Sequence, residues 1–214
     1  MYLLSKELFF PPVSHANADG ILAIGGDLSP ERLLLAYKNG IFPWFEENEP
    51  IFWWAPNPRM VLFLEELVVS KSMRNILNQN IFTVTFNQNF REVILNCQKA
   101  KRKGQNGTWI TQEMLEAYCK LNELGRAKSV EVWQKNQLVG GLYGIDLGHI
   151  FCGESMFSIV SNASKVAFIS LVNQLKTGNY KVLDCQVHNK HLESLGCREI
   201  DRTDFMKLLE NSNI

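Results

Sequence analysis

The stretch AKSVEVWQKNQLVGGLYGIDLGHIFCGESMF, residues 127–157, contains three consecutive segments that predict β-strands, at 127–134, 137–145 and 149–157. The connecting segments KN and DLG are short enough for hairpin turns, so the strands are expected to pair antiparallel. The next segment, 162–178, is apolar on nearly every face and predicts a buried helix. A further strand follows at 180–187. This order of elements predicts an α+β fold with a mostly antiparallel sheet.

The first sixty residues differ in character from the rest of the chain. All seven prolines lie within them. The one well-signalled helix there has Ser29 as its cap, Pro30 at its first position and Gly40 after its end. We therefore predict a small, irregular N-terminal domain at 1–60 and a larger domain at 61–214. The larger domain should also contain a strand at 81–86 and helices at 87–100, 111–125, 189–196 and 202–211.

The overall composition excludes several classes of protein. Lys plus Arg and Asp plus Glu both number 22 in 214 residues, which argues against non-specific coating of nucleic acid but allows a local basic patch. No apolar run is long enough to span a membrane, and the N-terminus lacks the pattern of a signal peptide. The five cysteines are odd in number and lack CxxC spacing, which disfavours disulfides and structural zinc. We expect a cytoplasmic protein that does not contact a membrane.

The third strand of the opening stretch carries a carboxylate, Glu154, among apolar residues. A buried carboxylate without a partner costs several kcal/mol, so a stable core alone rarely contains one. On strict alternation Glu154 shares a face with Cys152 and Met156. The neighbouring Gly153 is typical of a bulge or of the close approach of a ligand. Glu154 is thus either an outward-facing charge or part of a site.

A second polar pair interrupts the strand at 180–187. Asp184 and Gln186 alternate with apolar residues, so both should face the same side. That side is either a solvent-facing stripe or, if the strand is central, a functional site. In the second case Asp184 could act as a base or orient an amine, and Gln186 could hold a carbonyl group by hydrogen bonds.

A basic loop precedes one of the tryptophans, Trp109. The loop contains Lys99, Lys101, Arg102 and Lys103. Cations beside an exposed aromatic ring suit single-stranded nucleic acid, because phosphates pair with the cations and a base stacks on the ring. A solvated loop without a ligand is the commoner reason for such a run of charges.

The remaining candidate residues give weaker signals. Lys165 lies in the first turn of the helix at 162–178, where the helix dipole disfavours a cation, so it is either a plain surface lysine or faces a phosphate or carboxylate. His188 and His191 are spaced to share a helix face, but no third ligand accompanies them, so no metal site is predicted.

The order of strands and helices resembles the GNAT-type acyltransferase fold, in which the central helix follows the fourth strand. Acetyltransferases of that type carry a glycine-rich loop, between strand and helix, that holds the pyrophosphate of coenzyme A. The corresponding segment here, MFSIVSNASKVA at 156–167, has no glycine. This disfavours an acetyl-CoA enzyme but leaves open other acyltransferases, including the peptidoglycan-type aminoacyl transferases.

A set of ordered motifs between about Phe10 and Phe205 resembles the bacterial leucyl/phenylalanyl-tRNA–protein transferases. The motifs are GILAIGGDLSPERLLLAY, NGIFPWF, WWAPNPR, GTWIT, ELGRAKSVEVW, LVGGLYG, FCGESMF, NASKVA and LDCQVHNKHLESLG. The resemblance implies transfer of leucine or phenylalanine from an aminoacyl-tRNA to the N-terminal Arg or Lys of a protein, which creates a bacterial N-degron. It implies no cofactor, metal or ATP, and we expect a monomer. A tRNA-binding module without catalysis is the remaining alternative.

The resemblance also implies roles for individual residues. Trp44 and Trp109 would hold the terminal adenosine of the tRNA. Glu154 would bind the ammonium group of the amino acid, and Asp184 with Gln186 would form the catalytic pair.

Two further groups of residues complete the predicted site. The pocket for the amino acid side chain would be apolar and would tolerate leucine, phenylalanine and methionine, because a methylene is worth only about 1–3 kcal/mol. Its predicted lining residues are Met156, Leu142, Phe151, Gly153, Phe168 and Leu183. Phe168 is expected to narrow it. The predicted tRNA-contacting residues are Lys99, Lys101, Arg102, Lys103 and Lys165.

Overall fold

The computed structural model describes residues 1–100 and 109–210 and contains two β-sheets. The first sheet is formed by the N-terminal residues and has the strand order β1-β2-β4-β3. Its strands are β1 (Tyr2–Leu4), β2 (Ile21–Gly25), β3 (Phe42–Pro43) and β4 (Phe52–Trp54). The N-terminal region therefore contains a small sheet that the sequence analysis did not predict. These strands are too short, and too often flanked by proline, to show a periodic pattern.

Helix α1 (Pro30–Lys38) lies between β2 and β3 and begins as predicted. The Ser29 side chain accepts a hydrogen bond from the backbone N–H of Arg32, and Pro30 occupies the first turn. Gly40 has a φ of 70°. An added Cβ there would lie 3.0 Å from the Met206 sulfur, so both the backbone and the packing favour glycine.

The second sheet has seven strands in the order β11-β5-β10-β9-β8-β7-β6. All neighbours pair antiparallel except β9 and β10. This confirms the predicted α+β class and the hairpins of residues 127–157. The strands are β5 (Arg59–Phe63), β6 (Thr83–Phe86), β7 (Ala127–Gln134), β8 (Gln137–Asp146), β9 (Ile150–Ser158), β10 (Val182–Gln186) and β11 (Arg198–Ile200).

Helices cover both faces of the larger sheet. The helices after α1 are α2 (Lys71–Asn78), α3 (Phe90–Lys99), α4 (Gln112–Glu123), α5 (Ala163–Lys176), α6 (Lys190–Glu193) and α7 (Arg202–Glu210). Helix α5 packs with one apolar core, whereas α3, α4 and α7 share the other core with residues of the N-terminal sheet. The predicted division at residue 60 falls within β5, and one core contains residues from both sides of it. None of the helices in the described ranges has the length and hydropathy of a membrane span.

The register of β8 and β9 breaks at Glu154. Tyr143 pairs with Ser155 and Gly144 pairs with Gly153, so Glu154 is an extra residue in β9. This β-bulge shifts the alternation by one position: Cys152 belongs to the core beneath α3 and α4, whereas Met156 packs against the core beneath α5. The predicted shared face of Cys152 and Met156 is therefore wrong.

A gap opens between β9 and β10 close to this bulge. Their parallel pairing covers three residue pairs and ends where Cys152 lies opposite Asp184. Strand β10 also changes register against β5 between Asp184 and Gln186, and Gln186 has a φ of 64°. The end of the β9–β10 pairing and the change of register in β10 lie at the same level of the sheet, so β9 and β10 separate there.

A buried ion pair joins β5 to β10 beside the gap. Arg59 Nε and Nη2 donate to the two carboxylate oxygens of Asp184 at 2.8 and 2.7 Å, and both residues are at most 2% exposed. Arg59 Nη1 donates to the carbonyl oxygen of Gly40 at 3.0 Å. The guanidinium also lies over the rings of Phe42 and Phe205, so it links the N-terminal sheet, the central strands and α7.

We predict that Arg59→Met lowers the free energy of unfolding by about 3–5 kcal/mol, because it leaves the Asp184 carboxylate buried without a partner. Adding Asp184→Leu should recover much of that loss, since an apolar pair of similar volume can replace a buried ion pair. Chemical denaturation measures both effects.

The matched control is Arg91→Met. Arg91 pairs with Glu116, but both side chains are more than half exposed, so its loss should leave stability nearly unchanged. Equal effects of Arg59→Met and Arg91→Met would contradict the importance given to the buried pair.

Candidate active site

A cavity of about 380 Å³ occupies the gap between β9 and β10. Its volume lies in the range usual for small-molecule sites. One side is apolar and is formed by α5 and the three central strands. The apolar lining residues are Leu142, Met156, Phe168, Leu171 and Leu183. The cavity can therefore exclude water from an apolar group of moderate size.

Glu154 forms the polar edge of this cavity. Tyr37 donates a hydrogen bond to Glu154 Oε1 at 2.7 Å, and Tyr118 donates to Oε2 at 3.1 Å. Gln186 Nε2 also donates to Oε1, at 2.9 Å. Burial raises the pKa of Glu154 to about 7, although these three donors act in the opposite direction. Glu154 thus titrates near neutral pH.

Gln186 lies on the cavity wall and Asp184 lies behind it. The backbone N–H of Gln186 donates to Asp184 Oδ1 at 3.0 Å, which ties the positive-φ turn at Gln186 to the ion pair of Asp184 with Arg59. Asp184 is fully buried and does not line the cavity. Its carboxylate therefore contacts Arg59 and the backbone of Gln186, and not the cavity.

Two tryptophans lie on the wall of the same cavity. Trp44 follows β3 and is 36% exposed, and Trp109 precedes α4 and is half-buried. Trp54 holds the Trp44 segment in place, because its Nε1 donates to the Trp44 carbonyl oxygen at 2.7 Å and the two rings lie 5.3 Å apart. Partly exposed rings beside a cavity offer stacking surfaces for a planar group.

The structure brings most of the predicted pocket residues together. Glu154 and Met156 line the same cavity, as do Leu142, Gly153, Phe168 and Leu183. Phe151 does not lie on the wall, because its side chain packs into the core beneath α5. At Gly153 an added Cβ would make only ordinary contacts of 3.5 Å or more, so this glycine is not required by steric crowding within the protein.

The two predicted basic residues that the structure describes, Lys99 and Lys165, lie outside the cavity wall. Lys99 is exposed at the end of α3, and Lys165 is half-buried in the first turn of α5. Partial burial, and secondarily the nearby Lys165 ammonium, lower the pKa of His191, which lies on the cavity wall. The other three predicted cations, Lys101, Arg102 and Lys103, lie outside the described residues.

Sequence reasoning missed three residues that hold the polar groups in place: Tyr37, Tyr118 and Arg59. Tyr118 lies on the buried face of α4, and a buried tyrosine hydroxyl requires a hydrogen-bond partner. That rule signals a polar site but does not identify Glu154 as the partner. Tyr37 and Arg59 are far from Glu154 and Asp184 in sequence, and no local pattern connects them. Within the described residues, no three His, Cys, Asp or Glu side chains are grouped to hold a metal ion.

Comparison with known proteins gives a consistent result over nearly the whole chain. The family model described as leucyl/phenylalanyl-tRNA protein transferase matches residues 61–210, and the model of that family's N-terminal domain matches residues 26–57. A relative from Flavobacterium johnsoniae, named leucyl/phenylalanyl-tRNA–protein transferase, is 72% identical over 99% of this chain and 100% of its own length. A relative of the same name from Flavobacterium psychrophilum is 67% identical over 98% of this chain and 100% of its own.

Two solved structures resemble the chain distantly. A functionally unknown conserved protein from Staphylococcus epidermidis has a TM-score of 0.46 at 10% identity, over 85% of this chain and 68% of its own. L-PGS from Bacillus licheniformis has a TM-score of 0.42 at 14% identity, over 78% and 54%. No conclusion about function rests on these two likenesses. From the matching family models and the close relatives, we conclude that this chain belongs to the leucyl/phenylalanyl-tRNA protein transferase family and is an aminoacyltransferase.

Proposed function

We propose that this enzyme transfers leucine or phenylalanine, and also methionine, from aminoacyl-tRNA to the N-terminal Arg or Lys of acceptor proteins. The modified proteins would then carry an N-degron. The observation that supports this best is the combination of an apolar cavity with one carboxyl group at its edge. An amino acid esterified to tRNA offers a side chain for the apolar part and an ammonium group for Glu154.

The two tryptophans fit the other end of such a substrate. We assign Trp44 and Trp109 to the terminal adenosine, because both lie on the cavity wall and stacking of a base on an aromatic ring is worth about 1–3 kcal/mol. Lys99, Lys165 and the basic residues Lys101, Arg102 and Lys103 are assigned to the phosphates. Since the net charge is zero, we expect modest and salt-sensitive tRNA binding through this local patch.

The reaction depends more on positioning the two reactants than on activating either of them. The α-amine of the acceptor attacks the ester carbonyl, a C–N bond forms, the C–O bond to the ribose breaks, and the amine proton ends on the ribose oxygen. An α-amine has an ordinary pKa of about 7.7–8.0, so a useful fraction is neutral at physiological pH. The ester is already activated, so holding the two reactants in reach can supply much of the rate.

Within this mechanism we assign Gln186 to the ester carbonyl and Asp184 to the support of Gln186. Gln186 lies on the cavity wall and contacts Glu154, whereas both oxygens of Asp184 accept hydrogen bonds from Arg59. A carboxylate engaged in this way is poorly placed to take a proton from the acceptor amine. Asp184 is therefore proposed as a positioning residue.

The direct experiment supplies labelled Leu-tRNA together with a peptide beginning with Arg or Lys. Label should pass to these peptides and not to otherwise identical peptides that begin with Ala or Glu. Circular dichroism on the same sample confirms that the protein is folded. If folded protein transfers no label to the Arg or Lys peptides, the proposal fails.

We predict that Trp109→Ala raises the KM for aminoacyl-tRNA roughly 5- to 150-fold, with a smaller change in kcat, because it removes one stacking surface worth about 1–3 kcal/mol. Steady-state kinetics with varied Leu-tRNA measures both constants. Trp133→Ala is the control, since Trp133 lies on β7 and is absent from the cavity wall. A fall in kcat alone for Trp109→Ala would contradict the stacking role.

We predict that Phe168→Leu increases the ratio of phenylalanine to leucine transfer, because it widens the apolar part of the cavity. The expected change is about 1–3 kcal/mol, or roughly 5- to 150-fold in the ratio of kcat/KM values. Competition between Phe-tRNA and Leu-tRNA in one reaction measures the ratio directly. Ile169→Val is the control, since Ile169 is buried on the same helix but does not line the cavity. An unchanged ratio in Phe168→Leu would show that this residue does not set the size of the pocket.

A further inference from the structure

Three oxygen-bearing groups form a closed ring at the edge of the cavity, which we call the carboxyl–phenol ring: Glu154, Tyr37 and Tyr118. The Tyr37 hydroxyl lies 2.7 Å from Glu154 Oε1, and the Tyr118 hydroxyl lies 3.1 Å from Oε2. The two hydroxyl groups are also hydrogen-bonded to each other. Every member of the ring therefore contacts both of the others.

The ring contains three oxygen–oxygen contacts, and each needs its own proton to be a hydrogen bond. The two phenols supply one proton each. If Glu154 were ionised, one contact would join two oxygens without a proton between them, which is repulsive. If Glu154 carries a proton on Oε2, this oxygen donates to Tyr118 instead of accepting from it, Tyr118 donates to Tyr37 and Tyr37 donates to Oε1, so all three contacts are hydrogen bonds. The geometry of the ring thus favours a neutral carboxyl group.

The other groups around Glu154 do not change the balance of three contacts against two phenol protons. Gln186 on β10 donates its own amide proton to Oε1. The Asp184 carboxylate, also on β10, disfavours a second negative charge nearby. The Arg59 guanidinium on β5 opposes that effect, but it is already paired with Asp184. Tyr143 on β8 and Cys152 on β9 complete the surroundings, and burial raises the pKa of the Cys152 thiol well above its ordinary value.

Burial shifts the pKa values of all three groups in the direction that the proton count requires, and it outweighs the hydrogen bonds from Tyr37, Tyr118 and Gln186, which lower the pKa of Glu154. Burial raises the pKa of both phenols, Tyr37 and Tyr118, well above the ordinary value, so each keeps its proton throughout the physiological range. Burial also raises the pKa of Glu154 to about 7. A neutral Glu154 is therefore accessible at the pH at which the enzyme works.

We propose that Glu154 is a neutral acid in the unliganded enzyme, and that it ionises when the cationic amine of the substrate enters the cavity, so that binding expels one proton. This inference rests on the proposed function, in which Glu154 meets the substrate ammonium. In the step, the carboxyl O–H bond breaks, its proton passes to solvent through the cavity, and the carboxylate pairs with the ammonium group. Tyr37 and Tyr118 are positioning residues that hold the proton until the cation replaces it.

One consequence is selectivity for the charged form of the substrate. A carboxylate exposed in the empty cavity would attract any small cation. A neutral carboxyl group held by two phenols is ionised only by a ligand that also fits the apolar part of the cavity. The amino group and the apolar side chain would then be recognised together, since each supports binding of the other.

Infrared spectroscopy of the unliganded protein tests the first half of the proposal without tRNA. The difference spectrum between the wild type and Glu154→Gln should contain the C=O band of a protonated carboxyl group below pH 7. That band should be replaced by carboxylate bands as the pH rises through about 7. A carboxylate at all pH values down to 5, or a midpoint near the ordinary glutamate value of about 4.3, would overturn the proposal.

Calorimetry tests the second half with a non-hydrolysable probe, phenylalanine linked by an amide to 3′-amino-3′-deoxyadenosine. Titrations at pH 6.5 in two buffers of different ionisation enthalpy give the number of protons exchanged. Release of about three-quarters of a proton is expected, because a carboxyl group with a pKa of about 7 is mostly but not fully protonated at pH 6.5, and none is expected from Glu154→Gln. Binding without release overturns the coupling. Failure of the probe to bind would count against the proposed function, whereas the infrared result on the ring would stand separately.

Discussion

The ion pair between Arg59 and Asp184 is the interaction on which the rest of the site depends. It is inaccessible to solvent, and its arginine also contacts Gly40, Phe42 and Phe205. Asp184 in turn holds the backbone of Gln186, and the Gln186 side chain reaches Glu154. The position of the polar edge of the cavity is thus fixed through a chain of contacts from β5 to β9.

The N-terminal part and the part built on the larger sheet form the cavity together. Tyr37 and Trp44 come from the N-terminal part, whereas Tyr118, Glu154 and Gln186 come from the part built on the larger sheet. Two local irregularities make room for it: the bulge at Glu154 and the end of parallel pairing between β9 and β10. A regular sheet would have turned Glu154 to the other face, away from the cavity. The same irregularities place a buried carboxyl group within reach of two phenols, and its burial raises the pKa of Glu154 to about 7.

The sequence predicted the hairpins of residues 127–157, the buried helix α5 and the cap Ser29, because these depend on local patterns. It also singled out Glu154 and Gln186, since polar residues in apolar strands stand out. Strict alternation predicted the wrong face for Cys152 relative to Met156, because a bulge has no signature in the spacing of apolar residues. Arg59 and Tyr37 were missed because their partners are more than a hundred residues away. The short strands of the N-terminal sheet were missed because they carry too few residues to show a period.

The central claim is that the cavity holds the aminoacyl end of the substrate with its side chain against α5 and its ammonium at Glu154. A crystal structure of the enzyme with phenylalanine amide-linked to 3′-amino-3′-deoxyadenosine tests this directly. The account predicts the phenyl ring between Met156, Phe168 and Leu183, the ammonium within hydrogen-bond distance of Glu154, and the adenine beside Trp44 or Trp109. A probe whose phenyl ring lies outside the cavity, or whose ammonium points away from Glu154, would contradict it.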